Sequence, residues 1–292
     1  MNVVTLFGFR CPRILPVMSA ALAIGALNAQ DSVLRDVVVE AEELPSAYGA
    51  PPDLSRGRIS TLTKSYVLPP FGFELEGIYQ GDIFRRHAPR HQFTQEIEMG
   101  LPARFTIGVQ NELERSSGDG GERSFGLEAR YALADWNKIP FNPTLSAQYQ
   151  FGITDRVSDN VDFALLLSHD FRHMVEWAFN CFVEQELNGR GSTAWGFAQS
   201  AEVPVLLPHE QLEVGLEMQY RHLHESNRHF DRTRGFVIGP TLAWRPSKNA
   251  RLDLSPLIGC TNNSPILQMF VVFSWSLGKS EAGETEMPAS TR

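Results

Sequence analysis

Residues 93–114 read FTQEIEMGLPARFTIGVQNELE. In an extended chain successive side chains point to opposite faces. Phe93, Ile97 and Met99 then share one face, while Thr94, Glu96 and Glu98 share the other. After Gly100-Leu101-Pro102-Ala103 the alternation resumes, with Phe105, Ile107, Val109 and Leu113 against Thr106, Gln110, Glu112 and Glu114. The stretch is a β-hairpin with one apolar face and one acidic face. A soluble sheet buries its apolar face against a second layer, whereas a membrane sheet turns it toward lipid.

The same rhythm extends on both sides of this hairpin. Upstream, Phe73, Leu75 and Tyr79 oppose Glu74, Glu76 and Gln80. Downstream, Phe125, Leu127, Ala129 and Tyr131 oppose Glu128 and Arg130, and Leu145, Ala147, Tyr149 and Phe151 oppose Gln148 and Gln150. Val161, Phe163, Leu165 and Leu167 oppose Asp162, Ser168 and Asp170, and Trp177, Phe179, Cys181 and Val183 oppose Glu176, Asn180, Glu184 and Glu186. A run over 194–201 has no clear parity. Leu212, Val214, Leu216 and Met218 oppose Glu213, Glu217 and Arg221; Phe236, Ile238, Leu242 and Trp244 make a tenth run; Leu252, Leu254 and Ile258 oppose Arg251 and Asp253; and Leu267 to Leu277 make the last. Turn-forming stretches such as 116–121, 154–160, 188–192, 246–249 and 261–264 separate the runs.

Runs of this length suit tilted membrane strands better than the five or six residues of a typical soluble strand. Lipid offers no hydrogen bonds to an open strand edge, so such a sheet must close on itself. The expected fold is all-β, a closed antiparallel transmembrane β-barrel of about a dozen strands over 70–278. Tyr79, Phe84, Trp136, Phe141, Trp244 and Trp275 stand at run ends, where aromatic girdles are expected. A β-sandwich is the structural rival.

The flanking segments fit export. Arg10 and Arg13 precede the apolar run Ile14 to Ala26, and Ala29 offers a cleavage point, so 1–29 reads as a signal peptide. Residues 30–69 are acidic and then rich in Pro, Ser and Gly, with Pro51-Pro52 and Pro69-Pro70. They read as an extended periplasmic leader, with a short plug entering the barrel as the alternative. Residues 279–292 form a polar tail. Cys181 and Cys260 fall on the lipid face of non-neighbouring runs and read as free thiols.

The net charge of −8, with no Lys/Arg cluster, argues against a nucleic-acid partner. The polar face assigned to the lumen carries Glu74, Glu76, Glu96, Glu98, Glu112, Glu114, Glu128, Glu176, Glu184, Glu213, Glu217 and Asp253, with Arg130, Arg221, Arg245 and Arg251 among few bases. An open lumen of this charge favours cations and neutral solutes. A lumen filled by its own Glu and Arg side chains would be sealed.

Leu68-Pro69-Pro70, the hairpin from Glu96 to Val109 and the hairpin rhythm over 70–277 resemble Gram-negative outer-membrane transporters or porins, of the type that includes the barrels of aromatic-degradation pathways. That resemblance implies a channel or transporter for small solutes in the bacterial outer membrane. Its implied partners are outer-membrane lipid, small solutes and the assembly machinery; no cofactor, metal or nucleic acid is implied. The chain departs from many such barrels by placing a polar tail after Leu277, where they end on an aromatic residue.

A second, local resemblance is of another class. His224-Glu225-Ser226-Asn227 is similar to the active-site string of outer-membrane phospholipase A and of lipid A deacylase. It implies a lipid esterase with Ser226 as nucleophile and His224 as base. Arg228 stands where those families have Gly, and Ile238 where they place a residue that orients the histidine. His87 with His91, and His222 and His224 with His229, fall at strand ends on the outer surface and read as exposed loop histidines rather than metal ligands.

Overall fold

A computed structural model describes residues 47–116, 121–171, 174–188, 191–205, 211–224 and 232–277. The expected signal peptide, residues 30–46, Ser226, His229 and the tail 279–292 lie outside these. The described chain is built from strands: β1 (Arg58–Ser60), β2 (Thr63–Lys64), β3 (Phe73–Ile83), β4 (Arg90–Leu101), β5 (Phe105–Ser116), β6 (Glu122–Ala132), β7 (Thr144–Gly152), β8 (Asn160–Phe171), β9 (Val175–Glu186), β10 (Thr193–Pro204), β11 (Leu212–His224), β12 (Arg232–Ser247), β13 (Ala250–Gly259) and β14 (Leu267–Leu277).

β3 to β14 form a closed barrel in sequence order, each strand antiparallel to the next. β14 closes the ring on β3, with Leu277 opposite Phe73 and Leu267 opposite Ile83. Closure satisfies both edges of every strand, which is what hydrocarbon requires. A strand of 11 residues such as β3 rises roughly 36 Å, and at the usual tilt spans about 25 Å, the height of an apolar membrane band. The barrel has a near end, where β3 begins and β14 finishes, and a far end with the 84–89, 153–159 and 260–266 loops.

The two faces follow the alternation. Leu75, Ile97, Ile107, Leu127, Leu145, Phe163, Val183, Leu216 and Phe273 are exposed on the outside. Glu74, Glu76, Glu96, Glu98, Arg130, Glu217 and Arg251 are buried inside. An outside so apolar and an inside so charged invert the arrangement of a soluble protein, so the barrel is built to span a membrane. Strand β10, whose parity the sequence leaves open, turns Ala194, Gly196, Ala198, Ser200 and Glu202 inward and Trp195 and Val203 outward. The small residues blur its pattern because they suit either face.

Two irregularities have local causes. Paired residues of β12 and β13 lapse between Ile238–Ile258 and Leu242–Leu254. Pro240 and Pro256 lie in that gap, and proline has no N–H to donate. At the near end, the β4–β5 turn holds Ala103 and Arg104 at φ of 62° and 65°. Leu68-Pro69-Pro70 crosses beside it: Phe71 N donates to Gly100 O at 2.8 Å, and Gly100 N donates to Gly72 O at 2.9 Å. A Cβ on Gly100 would overlap the Leu68 and Pro69 carbonyls. Glycine is required there by close approach of backbone.

Two expectations are corrected. Residues 47–69 are not an extended periplasmic leader. They enter the bore at the near end, turn at Thr61-Leu62 in the two-stranded hairpin β1–β2 and leave again toward β3. Ala47, Ala50, Leu54, Ile59, Tyr66 and Val67 are almost wholly buried. Pro, Ser and Gly spacing conceals the segment's compactness because its order comes from the surrounding wall and not from its own periodicity. The other correction concerns the girdle. Trp136 is only 7% exposed and packs edge-on against Tyr66, ring centroids 5.2 Å apart, as part of the plug's apolar core. Phe84 lines the far-end opening with Arg90 beside its ring. Tyr79, Phe141, Trp244 and Trp275 are exposed on the outside.

Cys181 lies midway along β9, exposed on the outer face, and Cys260 follows β13 at the far end; the two are not joined in a disulfide. In lipid nanodiscs of a Cys11→Ser/Cys260→Ser chain, Cys181 is expected to react with an apolar maleimide and to resist a sulfonated one. Equal labelling by both reagents would contradict the lipid-facing parity of β9.

Candidate functional site: the lumen and its plug

The inner wall sets up an electrostatic problem. Glu74 lies directly opposite Glu98, and Glu76 opposite Glu96, across β3 and β4. Like charges directly opposite on neighbouring strands repel, and these four carboxylates are all buried. Their partners come from the plug and the facing wall. Arg58 Nε donates to Glu76 Oε2 at 3.2 Å, and its guanidinium lies 3.6 Å from Glu96. Lys64 Nζ donates to Glu96 at 2.7 Å, to Glu98 at 3.3 Å and to Glu128. Gly57 N donates to Glu74 at 2.8 Å. Arg130 pairs with Glu98 and also donates to the carbonyls of Gly57 at 2.9 Å and Tyr66 at 3.2 Å.

The opposite wall holds the plug in the same manner. Arg251 pairs with Asp253 at 2.7 Å and Glu202 at 3.3 Å, and donates to the carbonyl oxygens of Arg58 and Ile59. Glu217 accepts from Thr61 Oγ1 and Leu62 N, both at 2.6 Å. Thr63 Oγ1 meets Ser200 Oγ at 2.7 Å, and Ser60 Oγ meets Thr241 Oγ1 at 3.1 Å. Near the entrance, Arg245 bridges Asp53 of the plug at 2.9 Å and Glu213 of the wall at 3.1 Å. Tyr66 donates its hydroxyl to Ala134 O; burial pushes its pKa up to about 12, so it remains a donor at neutral pH. The plug is thus held to the wall chiefly by hydrogen bonds and ion pairs, with an apolar knot of Leu54, Ile59, Tyr66, Val67 and Trp136 at the near end.

Beyond the plug tip the bore opens into a vestibule of about 640 Å³ at the far end, floored by Leu62. Gln80, Asp82, Arg90, Glu112, Glu114, Asp162, Glu184 and Arg221 line it. Arg90 pairs with Asp82 at 2.6 Å and approaches Glu114 at 3.8 Å, and Arg221 pairs with Glu184.

The residues assigned to the lumen from parity fall into two groups. Glu74, Glu76, Glu96, Glu98, Glu128, Arg130, Glu213, Glu217, Arg251 and Asp253 surround the plug, and Glu176 lies opposite Glu202 at its entrance. Glu112, Glu114, Glu184 and Arg221 belong to the vestibule. Sequence reasoning missed Asp53, Arg56, Arg58, Lys64 and Glu202. A signal for the cations was present: the twelve acids assigned to the lumen against four bases demand counter-cations, and Arg56, Arg58 and Lys64 are the basic residues just upstream.

Two carboxylate triplets have the spacing of a metal site, Glu96/Glu98/Glu128 and Asp53/Glu176/Glu213. Lys64 occupies the middle of the first and Arg245 bridges two members of the second, so each already contains a cation. His224 ends β11, exposed on the outer face at the far end. Its companion Ser226 lies outside the described residues.

No family profile matches the chain, and no curated protein matches it. Among solved structures it is similar to the KdgM porin, at TM-score 0.49 and 10% identity over 70% of this chain and 99% of that one. An outer-membrane channel from Pseudomonas putida F1 gives 0.49 and 12% over 73% and 97%. The NanC porin gives 0.49 and 6% over 71% and 99%. These are likenesses of overall form; no residue role passes from them to this chain.

Removing one member of a buried charge network costs about 3–5 kcal/mol, because its partners stay behind unpaired. Lys64→Met leaves Glu96, Glu98 and Glu128 facing one another, and is expected to lower the temperature at which the folded barrel is lost on semi-native gels. Adding Glu96→Gln should recover part of that loss. Wild-type stability in Lys64→Met would show that Lys64 does not hold the plug.

Proposed function

We propose that the protein is an outer-membrane channel for small solutes, captured in its plugged state. The observation that carries this reading is the chemistry of the plug–wall contact. Through the middle of the bore the contact is polar on both sides, with Arg58, Lys64, Thr61 and Thr63 against Glu76, Glu96, Glu217 and Ser200. Water can replace such contacts, so a plug held by them can shift without exposing a greasy surface. Charged and polar rings of this kind line channels that pass hydrated solutes. The carboxylates freed by a shift would favour cations and neutral solutes over anions. The near end, with the barrel's two termini, faces the periplasm in this reading, and the vestibule faces outward.

A sealed structural barrel is the second reading, favoured by the same plug because it fills the bore at the level of Lys64 and Arg130. The lipid-esterase reading at His224 and Ser226 gains no geometric support among the described residues.

The Thr63–Ser200 contact separates the first two readings. In a chain with its native cysteines replaced by Ser, Thr63→Cys/Ser200→Cys places two thiols where hydroxyls meet at 2.7 Å, within reach of a disulfide. Oxidation is expected to abolish conductance in planar bilayers, and reductant to restore it. Conductance unaffected by the cross-link would show that solutes pass without plug movement. Its absence in both states would favour the sealed barrel.

A further inference from the structure

The vestibule has two unlike sides. One arc is acidic and amide-rich: Glu112 on β5, Gln150 on β7, and Asn160 and Asp162 on β8. The other arc is apolar: Leu62 at the plug tip packs against Val237 of β12 and Phe270 of β14, together with Leu257 beneath them. In the ring order, β5 to β8 lie across the bore from β12 to β14. The cavity between the arcs therefore has one face for an apolar body and one for a positive head.

The acidic arc is incompletely neutralised. Arg90 is engaged by Asp82 and Glu114, and Arg221 by Glu184. No described base lies within ion-pair distance of Glu112 or Asp162, and Asp162 Oδ1 is buried without a hydrogen-bond partner. Asp162 moreover stands directly opposite Glu184 across β8 and β9. Deeper in the bore, the same opposed-carboxylate pattern at Glu74–Glu98 and Glu76–Glu96 is answered by the plug's own Arg58 and Lys64. In the vestibule the plug contributes no cation; it contributes Leu62.

We propose that the vestibule binds small amphipathic organic cations, a primary ammonium carrying a compact apolar body. The ammonium is held by Asp162 and Glu112, with Gln150 and Asn160 as further hydrogen-bond partners. The apolar body lies against Leu62, Val237 and Phe270. A volume of about 640 Å³ is ample for one such molecule, since ligand pockets run from about 300 to 1,000 Å³. A neutral analogue keeps the apolar contact but leaves Asp162 unanswered. An anionic one is repelled.

The inference rests on the channel reading for its biological meaning, since it names the solute class that would enter from outside. The binding itself is measurable without transport. Isothermal titration of cyclohexylmethylammonium into full-length protein in nanodiscs should give saturable binding, at least about tenfold tighter than cyclohexylmethanol, as befits a charge-assisted contact. Cyclohexanecarboxylate should not bind. Empty nanodiscs supply the baseline for lipid partitioning. Asp162→Asn/Glu112→Gln should weaken the ammonium about tenfold and leave the alcohol unchanged. Phe270→Ala should bring cyclohexylmethylammonium down toward methylammonium.

Equal binding of ammonium and alcohol by the native chain would overturn the proposal without recourse to any variant. So would undiminished ammonium binding in a folded Asp162→Asn/Glu112→Gln chain. The oxidised Thr63→Cys/Ser200→Cys chain keeps the vestibule intact and should still bind. Binding there without conductance in any state would sink the channel reading alone, and conductance without ammonium binding would sink this one alone.

Discussion

Opposed carboxylates on the inner wall are the constraint to which the lumen answers. Glu74 with Glu98 and Glu76 with Glu96 face each other across β3 and β4, buried from bulk water in the plugged bore. Charges taken from water cost several kcal/mol each unless they are paired and hydrogen-bonded. The plug that closes the bore buries these carboxylates and so imposes that cost. It also offsets the cost by bringing Arg58 and Lys64 to the carboxylates, while Arg130 and Arg251 reach from the wall to the plug's carbonyls. Wall and plug are each incomplete in charge, and each completes the other.

This mutual dependence divides the bore into two compartments. Around β1 and β2 the wall acids meet plug cations, and the interior is closed by ion pairs with an apolar knot beneath. Above Thr61-Leu62 the plug has ended, so Glu112 and Asp162 line the vestibule while Leu62 covers part of an apolar wall. One short hairpin both closes the passage and shapes the floor of the cavity above it. Function, on this account, belongs to the boundary between the compartments. In the channel we propose, the position of the plug tip sets how far a solute can enter and which surfaces it meets.

The segment that enters the bore and the strand that leaves it are joined at a crowded point. Leu68-Pro69-Pro70 runs against the Gly100 turn, where no side chain fits. Proline fixes the direction of the chain there and gives up only N–H groups that the ladder does not need. Leu68-Pro69-Pro70 and the Glu96–Val109 hairpin, two of the features that carry the resemblance to outer-membrane barrels, thus meet in a single contact. Its role is to lead the chain out of the lumen and into the first wall strand.

Alternation alone determined the barrel, its inner and outer faces, the strands and the separation of Cys181 from Cys260, because a period of two along a strand is a local property that closure merely repeats. It failed at β10, where alanine and glycine carry little preference for either face, and so hid Glu202. It also placed Trp136 among lipid-facing aromatics, although a tryptophan in a long turn can fold back onto whatever occupies the near end. The plug was decided by tertiary structure alone. Residues 47–69 have no periodicity of their own and too little apolar surface to fold by themselves. Their conformation is imposed by carboxylates and arginines far away in sequence, and only closing the ring brings those groups within reach.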